Sequence, residues 1–192
     1  MGEVPPKLQA TAEGLLRAGL DWLKDTYPEH RFFVERDVVW TLQKWLVDET
    51  TLRGLPLRIR NDCSIERGTN NRRSLCADLA LLAPEGSRPL VVAEFKFEPS
   101  HSRAHGPEPE IDPRKLPVTG WDGFARDVNR VQSWTQRDLI GSGAAIFVDE
   151  GSCARPRTEL IGATHEDWGT YGKDKLKVTV HIFRTASGVG AD

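Results

Sequence analysis

Cysteine is scarce and long apolar runs are absent, and both absences limit what this protein can be. The 192 residues include three cysteines, Cys63, Cys76 and Cys153, which is an odd number without any CxxC spacing. We therefore expect a reducing, cytoplasmic location rather than a disulfide framework. A zinc site from these thiols and a histidine stays open, although the spacing does not favour it. Because no apolar run approaches the length of a membrane span and the N-terminus lacks a signal-peptide pattern, we expect no membrane association.

The sequence also lacks the short motifs of several enzyme classes. GxGxxG, GxxxxGK[ST], GxSxG and HExxH are all missing, so nothing anchors a dinucleotide-binding, P-loop, serine hydrolase or zincin function. Acidic and basic residues nearly balance, with 28 Asp and Glu against 26 Lys and Arg. This balance argues against a surface coated in basic residues, but it permits local positive patches.

Length and apolar content predict one domain over residues 1–192. Apolar residues at helical spacing predict helices over about 11–27, 34–49 and 121–137. Strand patterns cover about 55–62, 76–83, 90–97, 143–148 and 176–183. Residues 99–120 contain five prolines and are predicted to form a long insertion or flap, and residues 151–175 to be irregular.

The most informative stretch is a predicted β-hairpin that ends at Glu98. Its two apolar runs flank a turn at residues 84–89 that contains glycine and proline. Because side chains alternate along a strand, Glu94 and Lys96 share one face. Antiparallel pairing would bring Asp78 beside Glu94. Two carboxylates this close repel each other unless a cation lies between them or one is protonated, and both arrangements are typical of functional sites.

The residues Asp78 and Glu94-Phe95-Lys96 resemble the PD-(D/E)XK nuclease superfamily. Lys96 is the only one of the eight lysines with Asp or Glu two positions earlier. Ala77 stands where the family's name has proline, at a position that does no chemistry. The resemblance implies a restriction-endonuclease-like α/β fold, with a central mixed sheet of about five strands flanked by helices. The alternative is a plain hairpin in which Glu94 and Lys96 form a same-face ion pair.

The resemblance also implies metal-dependent hydrolysis of phosphodiester bonds. Asp78 and Glu94 would bind Mg²⁺ or Mn²⁺, with the backbone carbonyl of Phe95 as a third ligand, and Lys96 would orient the attacking water. We therefore expect a nuclease that acts on nucleic acid, with DNA favoured over RNA as the expected substrate, and most simply a DNA endonuclease. A catalytically inactive nucleic-acid-binding module and an interaction or assembly protein stay open as alternatives. Cutting both strands of a duplex would favour a homodimer.

Two helices carry further charged residues. Glu35 opens the apolar face of the second helix, where it is either a residue favoured by the helix dipole or the additional acidic ligand that the family often supplies from such a helix. In the third helix, Phe124, Val128 and Val131 are predicted to face the sheet and Arg130 to lie elsewhere.

Two polar segments carry candidate binding residues. Arg67, Arg72 and Arg73 lie in the loop before the hairpin, where they either contact phosphate groups or form an ordinary solvated surface. His101 and His105 lie in the 99–120 segment, where they either contact a ligand or are merely solvated.

Overall fold

The computed structural model describes residues 5–68, 74–85, 88–105, 109–154, 160–171 and 175–185. Three α-helices and six strands lie in these ranges. They are α1 (Pro6–Thr26), α2 (Glu35–Leu52), β1 (Arg58–Glu66), β2 (Leu75–Leu82), β3 (Pro89–Glu98), α3 (Trp121–Gln136), β4 (Ser142–Glu150), β5 (Ala163–Tyr171) and β6 (Leu176–Arg184). The predicted α/β class is confirmed, as is a mixed sheet flanked by helices.

The strands form one sheet in the order β1-β2-β3-β4-β6-β5. β3 and β4 are parallel and the other neighbours are antiparallel. A parallel pair needs a crossover connection, and α3 supplies it. The prediction of about five strands was wrong, because β5 lies in the stretch predicted to be irregular. β5 is an edge strand whose only buried side chain among the described residues is Trp168, so it has no apolar alternation to reveal it.

The boundaries of β1 also differ from the prediction. The strand begins three residues later than expected and continues to Glu66, into the segment predicted to be a loop. β1 is the other edge strand, and its side chains alternate only between exposed and half-buried. Leu57 is buried just before the strand rather than within it. The apolar alternation therefore begins before β1, which is why the predicted strand began too early.

Alternation along the central strands creates two apolar layers, one on each face of the sheet. Ala93, Phe95 and Phe97 of β3 pack with residues of α1 and α2 on the first face. Val92 packs with α3 on the second face, together with Phe147 of β4. This confirms the predicted separation of Phe95 from its neighbours Glu94 and Lys96. Those two polar side chains consequently lie on the α3 face.

Residues 99–105 and 109–120 are held against the sheet by buried polar contacts. The carboxylate of Glu98 accepts hydrogen bonds from the backbone N–H groups of Val118 and Thr119, at 3.2 and 2.6 Å. Arg103 donates to Glu150 at 2.8 Å and to the carbonyl of Phe32 at 2.7 Å. The segment predicted to be an insertion or flap is therefore anchored at both ends in its described parts.

Two further findings concern the cysteines and the helices. Cys63, Cys76 and Cys153 are all free thiols. Among the helices in the described ranges, none is long and apolar enough to cross a membrane.

A glycine in α1 sets how closely α2 approaches. A Cβ atom added at Gly19 would lie 2.8 Å from Cδ1 of Leu42 and 3.2 Å from Cδ2 of Leu46, both fully buried side chains of α2. A Cβ added at Gly14, in the same helix, would meet nothing within 4 Å. Of these two glycines in α1, Gly19 alone has a packing reason to be glycine.

We predict opposite effects of alanine at these two positions on the free energy of unfolding. Gly14→Ala should raise it by about 0.5–1 kcal/mol, because alanine favours a helix over the unfolded chain. Gly19→Ala gains the same propensity but overpacks the α1–α2 contact, which costs about 1–3 kcal/mol. Urea unfolding followed by tryptophan fluorescence measures both. Equal stabilisation by the two variants would contradict the packing argument.

Candidate active site

The candidate site lies where β2 and β3 separate. Pairing between these strands runs from Leu82 and Pro89 to Leu79 and Ala93, and no later pair follows among their described residues. β2 remains paired with β1 beyond this point. Oδ2 of Asp78 instead accepts a hydrogen bond of 2.7 Å from the backbone N–H of Phe95. A carboxylate thus replaces the backbone acceptor that a continuing strand would have provided.

Glu94 lies beside this fork with its side chain almost completely buried, at 2% exposure. Oε1 accepts a hydrogen bond of 3.1 Å from Nη1 of Arg130 in α3. Burial, together with the nearby charge of Asp78, raises the pKa of Glu94 to about 8, although Arg130 acts to lower it. The predicted closeness of Asp78 and Glu94 is therefore reflected in their electrostatic interaction.

The ammonium group of Lys96 has three partners. Nζ donates to the carbonyl of Phe95 at 2.6 Å, and it lies 3.2 Å from Oε2 of Glu35 and 3.0 Å from Oδ2 of Asp127. The contact with Asp127 is an ion pair by distance, without the alignment of a hydrogen bond. Although burial favours the neutral amine, Glu35 and Asp127 raise the pKa of Lys96 above its usual value.

Glu35 and Asp127 reach Lys96 from opposite sides of the sheet. Glu35 is the first residue of α2, which packs on the first face, and Asp127 belongs to α3 on the second face. Both carboxyl groups can meet one ammonium because β2 and β3 have separated at this point. Burial raises the pKa of Glu35 and of Asp127 despite the nearby ammonium. Glu35 thus contacts a predicted site residue rather than serving the helix terminus alone.

Asp127 was not predicted to belong to the site, and the prediction that Arg130 lies away from the sheet was wrong. Arg130 does not lie away from the sheet, since its guanidinium bridges Glu94 and Oδ1 of Asp127, the latter at 3.3 Å. Asp127 is 2% exposed and lies three residues after the buried Phe124. An acidic residue at the spacing of the apolar face, followed by arginine at i+3, was the available signal.

The other candidate residues either lie away from this cluster or are not among the residues that the structure describes. Arg67 is exposed at the end of β1, and Arg72 and Arg73 fall outside the described residues. Nε2 of His101 is 2.7 Å from Oε1 of Glu98, beside a cavity of about 310 Å³. Phosphate contacts by the arginines and ligand contacts by the histidines stay predictions.

The site contains more negative than positive charge. Four carboxyl groups and two cations perturb one another's charge state, which leaves two formal negative charges when every group is ionised. We call the four carboxyl groups the acidic cluster: Glu35, Asp78, Glu94 and Asp127. Burial is the main cause of the raised pKa of Glu94, and the neighbouring charges of Asp78 and Asp127 add to it.

A divalent cation would match both the charge and the chemistry of the site. The carboxylates of Asp78 and Glu94 and the carbonyl of Phe95 are hard oxygen donors of the kind that Mg²⁺ prefers. Among the described residues, no three His, Cys, Asp or Glu side chains are gathered closely enough to hold a metal ion. Lys96 and Arg130 instead contact two of the three predicted ligands. The residues fit the cation chemically, and binding would require these two cationic side chains to shift.

Comparisons of the chain with protein-family models, with curated proteins and with solved structures find no match.

The buried carboxyl group of Glu94 predicts a specific pH dependence of stability without metal. Its pKa is about 8 in the folded protein and 4.5 in the reference state, so the folded state binds the proton more tightly. Its stabilising contribution is complete below about pH 4.5 and is lost as pH rises through about 8. Relative to Glu94→Gln, the free energy of unfolding of the parent protein should fall by a few kcal/mol across this window.

Urea unfolding measures this difference in the free energy of unfolding between the two proteins. Both are unfolded in a chelator at pH values from about 5 to about 9, in steps of about one pH unit. Glutamine matches the protonated carboxyl group in shape and does not titrate, so the effects of groups that do not interact with Glu94 cancel. Parallel stability curves for parent and variant would show that Glu94 is ionised throughout and would contradict the predicted burial effect.

Proposed function

We propose that this protein is a metal-dependent nuclease with a restriction-endonuclease-like fold. The observation that carries the proposal is the meeting of Asp78, Glu94 and Lys96 at the fork between β2 and β3. Asp78 and Lys96 both bind the backbone of Phe95, and Glu94 interacts electrostatically with Asp78. These are the residues that carry the resemblance to the PD-(D/E)XK nucleases.

The arrangement of the elements supports the same fold. From α2 to β4 the chain forms a helix, three successive antiparallel strands, a helix, and a strand that returns parallel to the third. This is the order implied by the family resemblance. The site lies on the third of these strands, between helices on both faces of the sheet.

The proposed metal ligands are the carboxylates of Asp78 and Glu94 and the carbonyl of Phe95. A bound Mg²⁺ or Mn²⁺ would act as a Lewis acid toward a phosphodiester and lower the pKa of a bound water. Asp78 is oriented for this role by the N–H of Phe95. Glu94 must lose its proton to serve as a ligand, so metal affinity should increase with pH.

Lys96 and Glu35 have different proposed roles. Glu35 and Asp127 hold Lys96 in its protonated form, so its ammonium can orient a water molecule or stabilise negative charge on the phosphate, but it cannot accept a proton. Glu35 is proposed as a further metal ligand. Asp127 acts through Lys96 and is a positioning residue.

The substrate in this proposal is nucleic acid, with DNA favoured over RNA on the resemblance alone. Cleavage of both strands of a duplex would be served by a homodimer in which two sites face opposite strands. Arg67, Arg72 and Arg73 are the proposed backbone contacts, since guanidinium groups bind phosphate oxygens in a bidentate manner.

A second candidate is favoured by the cations that already lie in the site. Nζ of Lys96 contacts the proposed carbonyl ligand, and Arg130 contacts Glu94. A nucleic-acid-binding module that keeps the fold without catalysis could retain such a closed ion network, as could an assembly protein. Cleavage that needs a divalent cation separates the first proposal from both alternatives.

We predict that the parent protein cleaves nucleic acid with Mg²⁺ or Mn²⁺ and loses this activity in a chelator. Lys96→Ala should reduce the cleavage rate about 100-fold or more, because one charged donor to the reacting phosphate is removed. Gel electrophoresis of a mixed substrate set, containing single-stranded and duplex DNA and RNA, measures the rate at a fixed enzyme concentration.

Lys44→Ala is the matched control, because Lys44 lies on the surface of α2 and pairs only with Asp48 among its described contacts. Lys96 is largely buried in an ion network, so circular dichroism of Lys96→Ala must establish that the fold is retained. If Lys96→Ala and the parent cleave at the same rate, Lys96 has no catalytic role. If the parent shows no metal-dependent cleavage of any substrate, the nuclease proposal is wrong.

A further inference from the structure

An exposed tryptophan lies directly beside the acidic cluster. Trp40 projects from α2 with 55% of its surface accessible. The guanidinium of Arg36, one turn earlier, lies 5.6 Å from the centre of its ring. Tryptophan is highly buried on average, and Trp40 leaves a large aromatic surface accessible to a ligand. We call Trp40 and Arg36 the Trp40 platform.

The Trp40 platform and two members of the acidic cluster line the same cleft. This cleft, of about 60 Å³, runs between α2 and β1, and its lining includes Trp40, Arg36, Glu35 and Asp78. A molecule that contacts the indole ring therefore lies next to two residues of the proposed metal site. Asn61 and Asp62 of β1 form the opposite wall.

The chemistry of the Trp40 platform suits one part of a nucleic acid. An aromatic ring offers a stacking surface to any base, and a neighbouring arginine offers positive charge to the adjoining phosphate. Glu35, Asp62 and Asp78 would repel a backbone phosphate placed there without a cation. Bases in a duplex already stack on one another, so only an unpaired base has a face free for Trp40.

We propose that Trp40 stacks on an unpaired base next to the phosphodiester that is cleaved, so that the substrate is single-stranded or frayed at the site. This rests on the proposed nuclease function and specifies its substrate class. Arg36 holds the adjoining phosphate and, through its contact with the ring, helps to orient the indole.

Binding of short oligonucleotides tests this without any cleavage. Fluorescence anisotropy of a labelled oligothymidylate and of a blunt-ended duplex of equal length would be measured in Mg²⁺ and in a chelator, with every variant carrying Lys96→Ala so that the substrates stay intact. Trp40→Ala should weaken single-strand binding about 10-fold and leave duplex binding unchanged. Trp40→Phe, which keeps an aromatic face, should retain most of the affinity.

Leu52→Ala is the matched control, since Leu52 is an apolar residue of the same helix with 80% exposure and lies outside the cleft. It should bind both substrates like the reference protein. Single-strand affinity that is the same in Trp40→Ala as in the reference overturns the stacking inference, and so does an equal loss of affinity for duplex and single strand. A protein partner on this surface would give the first of these outcomes.

The cleavage assay with intact Lys96 distinguishes the failure of this inference from the failure of the nuclease proposal. Metal-dependent cleavage that Trp40→Ala leaves unchanged on single strands overturns the Trp40 inference and leaves the nuclease proposal standing. Trp40-dependent binding of single strands without any cleavage overturns the nuclease proposal and supports the stacking role in a non-catalytic binding module.

Discussion

The hydrogen bond from the N–H of Phe95 to the carboxylate of Asp78 is the contact on which the site depends. It forms where pairing between β2 and β3 stops, and it satisfies a backbone donor that would otherwise be left without its partner strand. The resulting gap lets Lys96 contact Glu35 from one side of the sheet and Asp127 from the other. A single interrupted strand pair thus joins residues from α2, β2, β3 and α3 into one cluster.

Burying the acidic cluster lowers the stability of the folded protein. Glu94 and Asp127 are each only 2% exposed, and removing ionised groups from water costs several kcal/mol per group, which ion pairs offset only in part. Well-packed apolar residues would often stabilise such a place as well or better. The cations Lys96 and Arg130 do not balance the four carboxyl groups. Burial and the neighbouring charge of Asp78 raise the pKa of Glu94 to about 8. A functional requirement explains such an arrangement more directly than stability does.

The sequence was informative where alternation and turn residues act locally. The hairpin and the opposite faces of Phe95 and Lys96 follow from a period of two, and the apolar faces of the helices follow from helical spacing. The edge strand β5 could not be predicted because its side chains are mostly exposed. The predicted boundaries of β1, the other edge strand, were wrong by several residues because its side chains are only exposed or half-buried. The spacing of Asp127 and Arg130 on the apolar face of α3 was visible in the sequence, but only tertiary packing determines that this face covers Glu94 and Lys96 of β3. The proposed metal, substrate and chemistry rest on a resemblance in four residues, and the fold by itself does not determine them.

The most direct test of the central claim is a crystal structure of the protein soaked in Mn²⁺, with data collected for anomalous scattering. We predict one anomalous peak within coordination distance of the carboxylates of Asp78 and Glu94, with the side chains of Lys96 and Arg130 shifted from their contacts with Phe95 and Glu94. The absence of a peak at saturating Mn²⁺, with both contacts retained, would contradict a metal-dependent site at this fork.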